Sequence, residues 1–445
     1  MGILIMAGQL MLSLSILIVL HEMGHFLPAR WFGTRVEKFY LFFDPWFSLF
    51  KRKIGETEYG IGWLPLGGYV KISGMIDESF DREQMAQEPQ PWEFRSKPAW
   101  QRLIIMLGGV TVNFILGFLL YGAVLFVWGQ GYLPNEDGKH SIIVDSLGRE
   151  MGLADGDRIL AIGDVPFDEF DRRIFFREIA INNAKSITVN RDGEIIKLPV
   201  DDRFIKMLTS HENKNMDIFV PRLPFIVKEL VKGDPAEEAG IAQGDTIVAF
   251  NDTPTPSFYE FYKIAQEHKD EEVKVTVKRP GAPQPMAFDM TSTADGTVGI
   301  YPERMDHFFE YREFTLAEAI PAGFKEGWSF LGAQVKAFGQ IFKGKIKASE
   351  SLGGFGSIGR MFGAEWEWKR FWTMTAILSL ILAFMNLLPI PALDGGHVMF
   401  LLYEVVTGRK PSDKFMEYAT IVGFVIVIGL VLYANGLDII RAWFK

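Results

Sequence analysis

The sequence predicts a polytopic α-helical membrane protein with four transmembrane helices, a cytoplasmic membrane-associated β-hairpin region and two extracytoplasmic α+β domains. Three observations lead there. Four runs, near 1–20, 103–130, 371–393 and 418–437, are long and charge-free enough to cross a bilayer. The stretch between the second and third runs repeats itself. The pentad HEMGH at 21–25 ends the first run, where ionisable groups are costly and usually functional.

Composition narrows the class. Of 445 residues 48% are hydrophobic, which is high for a soluble chain, and the net charge is −9. That balance lacks the basic surface that phosphate binding requires, so no nucleic-acid partner is expected. With no cysteine there is neither disulfide nor thiolate, and a metal must be held by histidine and carboxylate.

The first run has no Asp, Glu, Lys or Arg before Glu22, lacks the basic start and small-residue cleavage site of a signal peptide, and reads as a span over 1–30. Arg30, Arg35, Lys38, Lys51, Arg52 and Lys53 follow it, and Arg95, Lys97 and Arg102 precede the second span. The positive-inside rule therefore puts loop 31–102 in the cytoplasm, and both termini and the segment after span two (103–130) outside. Within the loop, residues 51–75 alternate β-branched and aromatic residues with glycines, as hairpins or short strands do.

Beyond span two, GLADGDRILAIGDVP at 152–166 and GIAQGDTIVAFNDTP at 240–254 share eight of fifteen positions at an offset of 88. This is a duplicated domain, over 131–220 and 221–310, each copy with room for about five strands and a helix. The pattern resembles PDZ domains of the bacterial, circularly permuted kind, which bind peptide ends by strand addition or merely cover what lies beneath. Residues 311–370 carry Trp and Phe at helical spacing among lysines, as amphipathic helices on a membrane surface do, although packing on the second repeat fits the same pattern. A third transmembrane segment over 371–403, a cytoplasmic loop over 404–417 and a fourth helix over 418–445 complete the chain.

HEMGH places His21 and His25 one helical turn apart, able to reach one zinc, with Glu22 offset toward the water such a site activates. A tetrahedral ion then lacks one protein ligand. NLLPIPALDGGH at 386–397 offers Asp394 at a depth similar to that of His21, with His397 as a rival three residues on. Asp394 is preferred because Gly395 and Gly396 leave space for the two spans to approach and make immediate resumption of the helix, which His397 needs, less favourable. Pro389 and Pro391 break the third span, and exposed backbone at that depth must line a cavity or meet protein. Asn386 can hydrogen-bond an extended substrate or cap the broken helix. LPLGGYV at 64–70 is a candidate edge strand for substrate to join.

HEMGH in the first span, LGGYV in the loop, NLLPIPALDGGH in a later span and tandem PDZ-like repeats between spans together resemble the site-2 intramembrane zinc metalloproteases, in their bacterial branch with tandem PDZ domains. The resemblance covers essentially the whole chain. It implies that His21, His25 and Asp394 ligate Zn2+, that Glu22 is the catalytic base, and that Asn386, Gly67, Gly68 and Tyr69 engage substrate. It also implies transmembrane substrates in the bacterial inner membrane, of anti-sigma-factor type or remnant signal peptides, with the PDZ-like pair restricting large ectodomains. In GGVTVNF at 108–114, Val110 stands where the family tends to have proline.

The expected function is thus zinc-dependent cleavage of transmembrane segments. A membrane-anchored adaptor would not need Glu22. A metal transporter would favour more ionisable residues, whereas the runs 103–130 and 418–437 of spans two and four hold no His, Asp, Glu, Lys or Arg, with Arg102 just before the first and Asp438 just after the second.

Overall fold

A computed structural model describes residues 2–65, 67–75, 88–210, 218–347, 349 and 352–443. Leu66 of LPLGGYV lies outside the described residues, as do parts of the expected cytoplasmic loop, first α+β domain and surface-helix segment. The chain forms two compact units, one of residues 1–129, 313–335 and 351–445, the other of 130–312 and 336–350.

In the first unit α1 (Gly2–Trp31) leads into a four-stranded sheet of β1 (Val36–Leu41), β2 (Phe43–Ile54), β3 (Thr57–Leu64) and β4 (Tyr69–Ile72). Its helices are α2 (Ala99–Trp128), α3 (Leu316–Phe342, whose last turns belong to the other unit), α4 (Phe355–Phe362), α5 (Trp368–Leu387), α6 (Asp394–Thr407) and α7 (Asp413–Trp443). Four helices are long and apolar enough to span a bilayer among the described residues: α1, α2, α5 and Lys414–Ala442 within α7. With Val110 in place of a proline, α2 runs uninterrupted for 30 residues.

Small residues set the helix spacings. A Cβ on Gly24 would lie 2.6 Å from the Gly108 carbonyl carbon and 2.8 Å from the Gly109 Cα, so α1 and α2 meet backbone to backbone. Further along α2, Gly117 accommodates Leu380 of α5, and Gly122 packs against Gly323 of α3. These contacts replace the hydrophobic drive that lipid does not supply between helices.

The third span is broken as its prolines require. Residues 388–393 are not helical, and Ala392 holds a φ of 82°, a left-handed conformation that strains a residue with a Cβ. Here the structure corrects two expectations. The helix resumes at once, at Asp394, and the two glycines serve a different contact. A Cβ on Gly395 would be 2.5 Å from the Leu387 carbonyl carbon, and one on Gly396 2.6 Å from the Ile390 carbonyl oxygen. They let α6 fold back onto its own break rather than admit α1.

The sheet runs β2-β3-β1-β4, with β1 parallel to β3 and the other pairs antiparallel. Strands β2 and β3 form a hairpin, and β4 is an edge. On the opposite edge Trp46, Phe47, Leu49 and Phe50 are exposed, with Trp46 and Phe47 stacked on Trp63.

In the second unit the internal repeat becomes a repeated structure. Antiparallel strands Arg158–Ile162, Ser186–Arg191 and Glu194–Pro199 correspond to Thr246–Phe250, Glu272–Lys278 and Met286–Thr291. The register slips at the same place in both, between Ile159 and Ala161 and between Ile247 and Ala249. Among the described residues two short helices recur in each copy where one was expected, Ser146–Glu150 and Arg172–Phe176 in the first and Pro235–Ala239 and Phe258–Ala265 in the second, and the first copy adds a third, Arg203–Thr209. Each core is built on phenylalanines packed edge-on, Phe167, Phe170, Phe175 and Phe219 in one and Phe225, Phe250, Phe258 and Phe261 in the other. Pairing of Gln130–Tyr132 with Glu310–Arg312 joins the two ends of the repeat region.

The aspartate of each Gly-Asp turn is buried beneath an arginine fork. Arg279 donates to Asp245 through Nε (2.8 Å) and Nη2 (2.7 Å) and to the Gly240 carbonyl, while the Ala242 N–H donates to the same carboxylate. Asp157, Arg191, Gly152 and Ala154 repeat the arrangement. Burial alone would raise the Asp245 pKa; the arginine and the backbone donor outweigh it and hold the carboxyl below its ordinary value. Asp245→Ala, which removes the carboxylate that Arg279 and the Ala242 N–H share, is expected to lower stability. Because the folded pKa is depressed, the difference from wild type should be full above about pH 4 and shrink as pH falls through the folded value, read by denaturant unfolding of the full chain in detergent.

Candidate metal centre

The site is assembled from α1, α2, α5 and α6, with β4 alongside. His21 and His25 lie one turn apart on α1, and their rings meet edge-on with centroids 4.8 Å apart. Their Nε2 atoms are 3.2 Å apart, and Asp394 Oδ2, from the first residue of α6, lies 3.2 Å from one and 3.4 Å from the other. These three side chains form the group able to hold a metal ion among the described residues.

The spacing can be tested against an ion. A tetrahedral zinc with bonds of about 2.0–2.1 Å holds its ligand atoms about 3.3 Å apart, which the three observed edges match. Asp394 Oδ2 is buried and accepts no hydrogen bond. A buried acceptor facing two imidazole nitrogens at that distance is costly unless a cation lies among them. The tautomer of His25 agrees: its Nδ1 is 2.8 Å from the Ile105 carbonyl, which can only accept, so Nδ1 carries the proton and the Nε2 lone pair faces Asp394. The donor set of two imidazoles and a carboxylate therefore fits zinc in number, spacing and chemistry.

His397 is elsewhere. It lines a small cavity with Gly74, Phe94, Arg102, Phe400, Glu404 and Met416, where Arg102 and Glu404 form an ion pair of 2.5 Å. The helix does continue from Asp394, and three residues at about 1.5 Å each carry His397 about 4.5 Å further along α6, into that cavity.

Glu22, between the histidines in sequence, lies beside the backbone of Gly68 and Val70, where the edge strand β4 begins. Gly68 permits that approach: a Cβ there would be 2.5 Å from Ile18 Cγ2 and 2.7 Å from the Tyr40 carbonyl oxygen, with Glu22 Cγ at 3.7 Å. Gly67 has a φ of 154° and faces the Phe43 ring. The Tyr69 side chain is committed inside the sheet, stacked with Tyr40 and Phe43 and donating to Asp44 Oδ1 at 2.8 Å. Burial and that carboxylate push its phenol well above its ordinary pKa. What β4 presents at this position is backbone.

Asn386, in the last turn of α5, puts its amide 3.4 Å from His21 Nε2, beside the three donors rather than capping the helix end. Two features were missed in the sequence. A Cβ on Gly109 would lie 2.6 Å from His21 Cε1 and 2.9 Å from its Nδ1, and the Asn113 amide lies 3.3 Å from the same Nδ1. Both stand in GGVTVNF, and small residues paired with one amide in an otherwise apolar span were the available signal.

Two imidazoles and a carboxylate converging at metal-ligand spacing, a glutamate beside them and an exposed strand edge within reach, on helices apolar enough for a bilayer, define an intramembrane metalloprotease. The chain belongs to peptidase family M50, whose model matches residues 9–430. It is a zinc metalloprotease of the site-2 type, and zinc is its cofactor. It is similar to the regulator of sigma-E protease of Escherichia coli strain K12, 28% identical over 96% of this chain and 97% of that one. It is similar also to that of Haemophilus influenzae, 26% identical over 98% of each, and to a Ralstonia nicotianae protein named as a zinc metalloprotease, 25% identical over 96% and 97%.

Asp394→Asn is expected to lower zinc content of the purified protein sharply, whereas His397→Ala should keep near one zinc per chain. Metal analysis of both variants checks this, and zinc lost only from the His397 variant would reverse the assignment.

Proposed function

We propose that the protein cleaves transmembrane segments of single-span membrane proteins in the bacterial inner membrane, with anti-sigma-factor-type proteins and remnant signal peptides as substrates. The observation that carries this reading is the position of Glu22, beside the metal donors on one hand and the Gly68–Val70 backbone of a free strand edge on the other. A peptide bond within a helix is shielded from water, and an extended segment added to β4 through the backbone of Gly67, Gly68 and Tyr69 passes Glu22 with its carbonyls exposed.

His21, His25 and Asp394 hold the zinc, which supplies a Lewis acid and lowers the pKa of water at the site. Glu22 accepts the proton of the attacking water as the oxygen bonds to the scissile carbonyl carbon. It then passes that proton to the amide nitrogen as the C–N bond breaks, leaving a carboxylic acid and an amine. Asn386 donates its amide N–H to the carbonyl oxygen as negative charge develops there. The broken stretch 388–393 leaves room for a chain without helical structure.

The two repeat domains, PDZ-like in pattern, lie in the chain between spans two and three. They and both termini are assigned to the extracytoplasmic side, where the pair turns away substrates with bulky ectodomains. The exposed aromatic edge of the β2–β3 hairpin, and the apolar face of α3 with Phe324, Trp328 and Val335, suit a bilayer surface.

Glu22→Gln removes the base and leaves the ligands. Cleavage of a model transmembrane substrate in detergent should fall at least 10²-fold with zinc retained, and a rate near wild type would defeat this mechanism. Deleting residues 131–310 should let untrimmed substrates be cut in membranes. An unchanged size preference in an inserted, zinc-loaded deletion would point instead to peptide capture.

A further inference from the structure

We propose that Asn113 is a positioning residue whose side-chain carbonyl accepts the Nδ1 proton of His21, fixing the tautomer in which the Nε2 lone pair faces Asp394 and His25. The proposal rests on the assignment of His21 as a ligand.

The geometry is specific. Asn113 is buried, 1% exposed, and its amide stands 3.3 Å from His21 Nδ1, on the side of the ring away from Asp394. Its Oδ1, oriented away from His21, is buried without a partner. The two ends of a side-chain amide have the same shape, so hydrogen bonding decides its orientation. An N–H aimed at Nδ1 would require the His21 proton on Nε2, which would block the nitrogen that meets Asp394 at 3.2 Å. Turning the amide puts the oxygen at Nδ1 and supplies the orphaned acceptor with a donor.

His25 already shows the same device with a different acceptor, the Ile105 carbonyl at 2.8 Å. Ile105, Gly109 and Asn113 are spaced i, i+4, i+8 along α2, so one face of that helix serves both rings: a carbonyl for His25, open space at Gly109, and an amide for His21. The support is itself held, since Ser379 of α5 donates to the Asn113 backbone carbonyl at 2.7 Å. Nothing places Asn113 near the reacting atoms, in contrast to Asn386, which faces Nε2.

The test is zinc affinity of the full chain in detergent, by competition with a graded chelator series, for wild type, Asn113→Ala, Asn113→Leu, Asn113→Asp and His21→Ala. Losing the acceptor should weaken zinc binding about 10–100-fold in the Ala and Leu variants. The Asp variant, which can only accept from the imidazole, should stay within a few-fold of wild type. That rescue separates positioning from packing, because Leu keeps the volume and loses the acceptor, whereas Asp keeps the acceptor. Wild-type affinity in both Ala and Leu, or an Asp variant as weak as Leu, would overturn the proposal. Should Leu fail to fold, the contrast of Ala with Asp decides it. His21→Ala is the separate control: zinc bound as in wild type there would overturn the ligand assignment itself.

Discussion

The meeting of Gly24 with Gly108 and Gly109 is the constraint on which the site depends. With any larger residue at these places α1 and α2 would stand further apart, and the groups of α2 that address the imidazoles would fall short. The Ile105 carbonyl would miss His25 Nδ1, and Asn113 would miss His21. Close backbone contact thus does chemical service in a bilayer, where apolar surface alone does not hold helices together. It brings fixed dipoles to the back of each ring while the front faces the metal.

The same economy governs the third span. An unbroken helix would satisfy its backbone internally and leave no opening for a substrate. Two prolines and the strained Ala392 open it, and Gly395 and Gly396 let α6 start immediately afterwards, so the unpaired stretch is short. Asp394 then sits in the first turn of a helix, where the backbone dipole favours a carboxylate. An acid at membrane depth is supported from two directions, by that helix end and by the cation its neighbours are spaced to receive.

How much of this was legible follows from what is local in sequence. The i, i+4 spacing of His21 and His25, the proline break and the doubled Gly-Asp turn are patterns within a few residues, and the elements they imply are present, whereas of LPLGGYV only Tyr69 and Val70 enter the edge strand. Residue counting along two spans that cross the bilayer in the same direction brought Asp394 to the depth of HEMGH. The function of Gly395 and Gly396 was misread because their contact is with a backbone only a few residues earlier, at an angle that periodicity does not encode. Tyr69 read as a substrate contact because the strand edge was recognised, but not which sheet face its ring would occupy. Asn113 and Gly109 are long-range partners of His21, and a lone amide in an apolar helix looks the same whether it faces lipid, a neighbour or a ring nitrogen.

The pairing of Gln130–Tyr132 with Glu310–Arg312 has a consequence for how the chain is assembled. Because the segment between them begins and ends at adjacent strands, the entropy of closing so long an excursion is met by the segment's own folding. Such an insertion can gain, lose or exchange a repeat without altering the separation of the ends it presents. The duplication at an offset of 88 is then an event that the hydrolytic unit had no need to register.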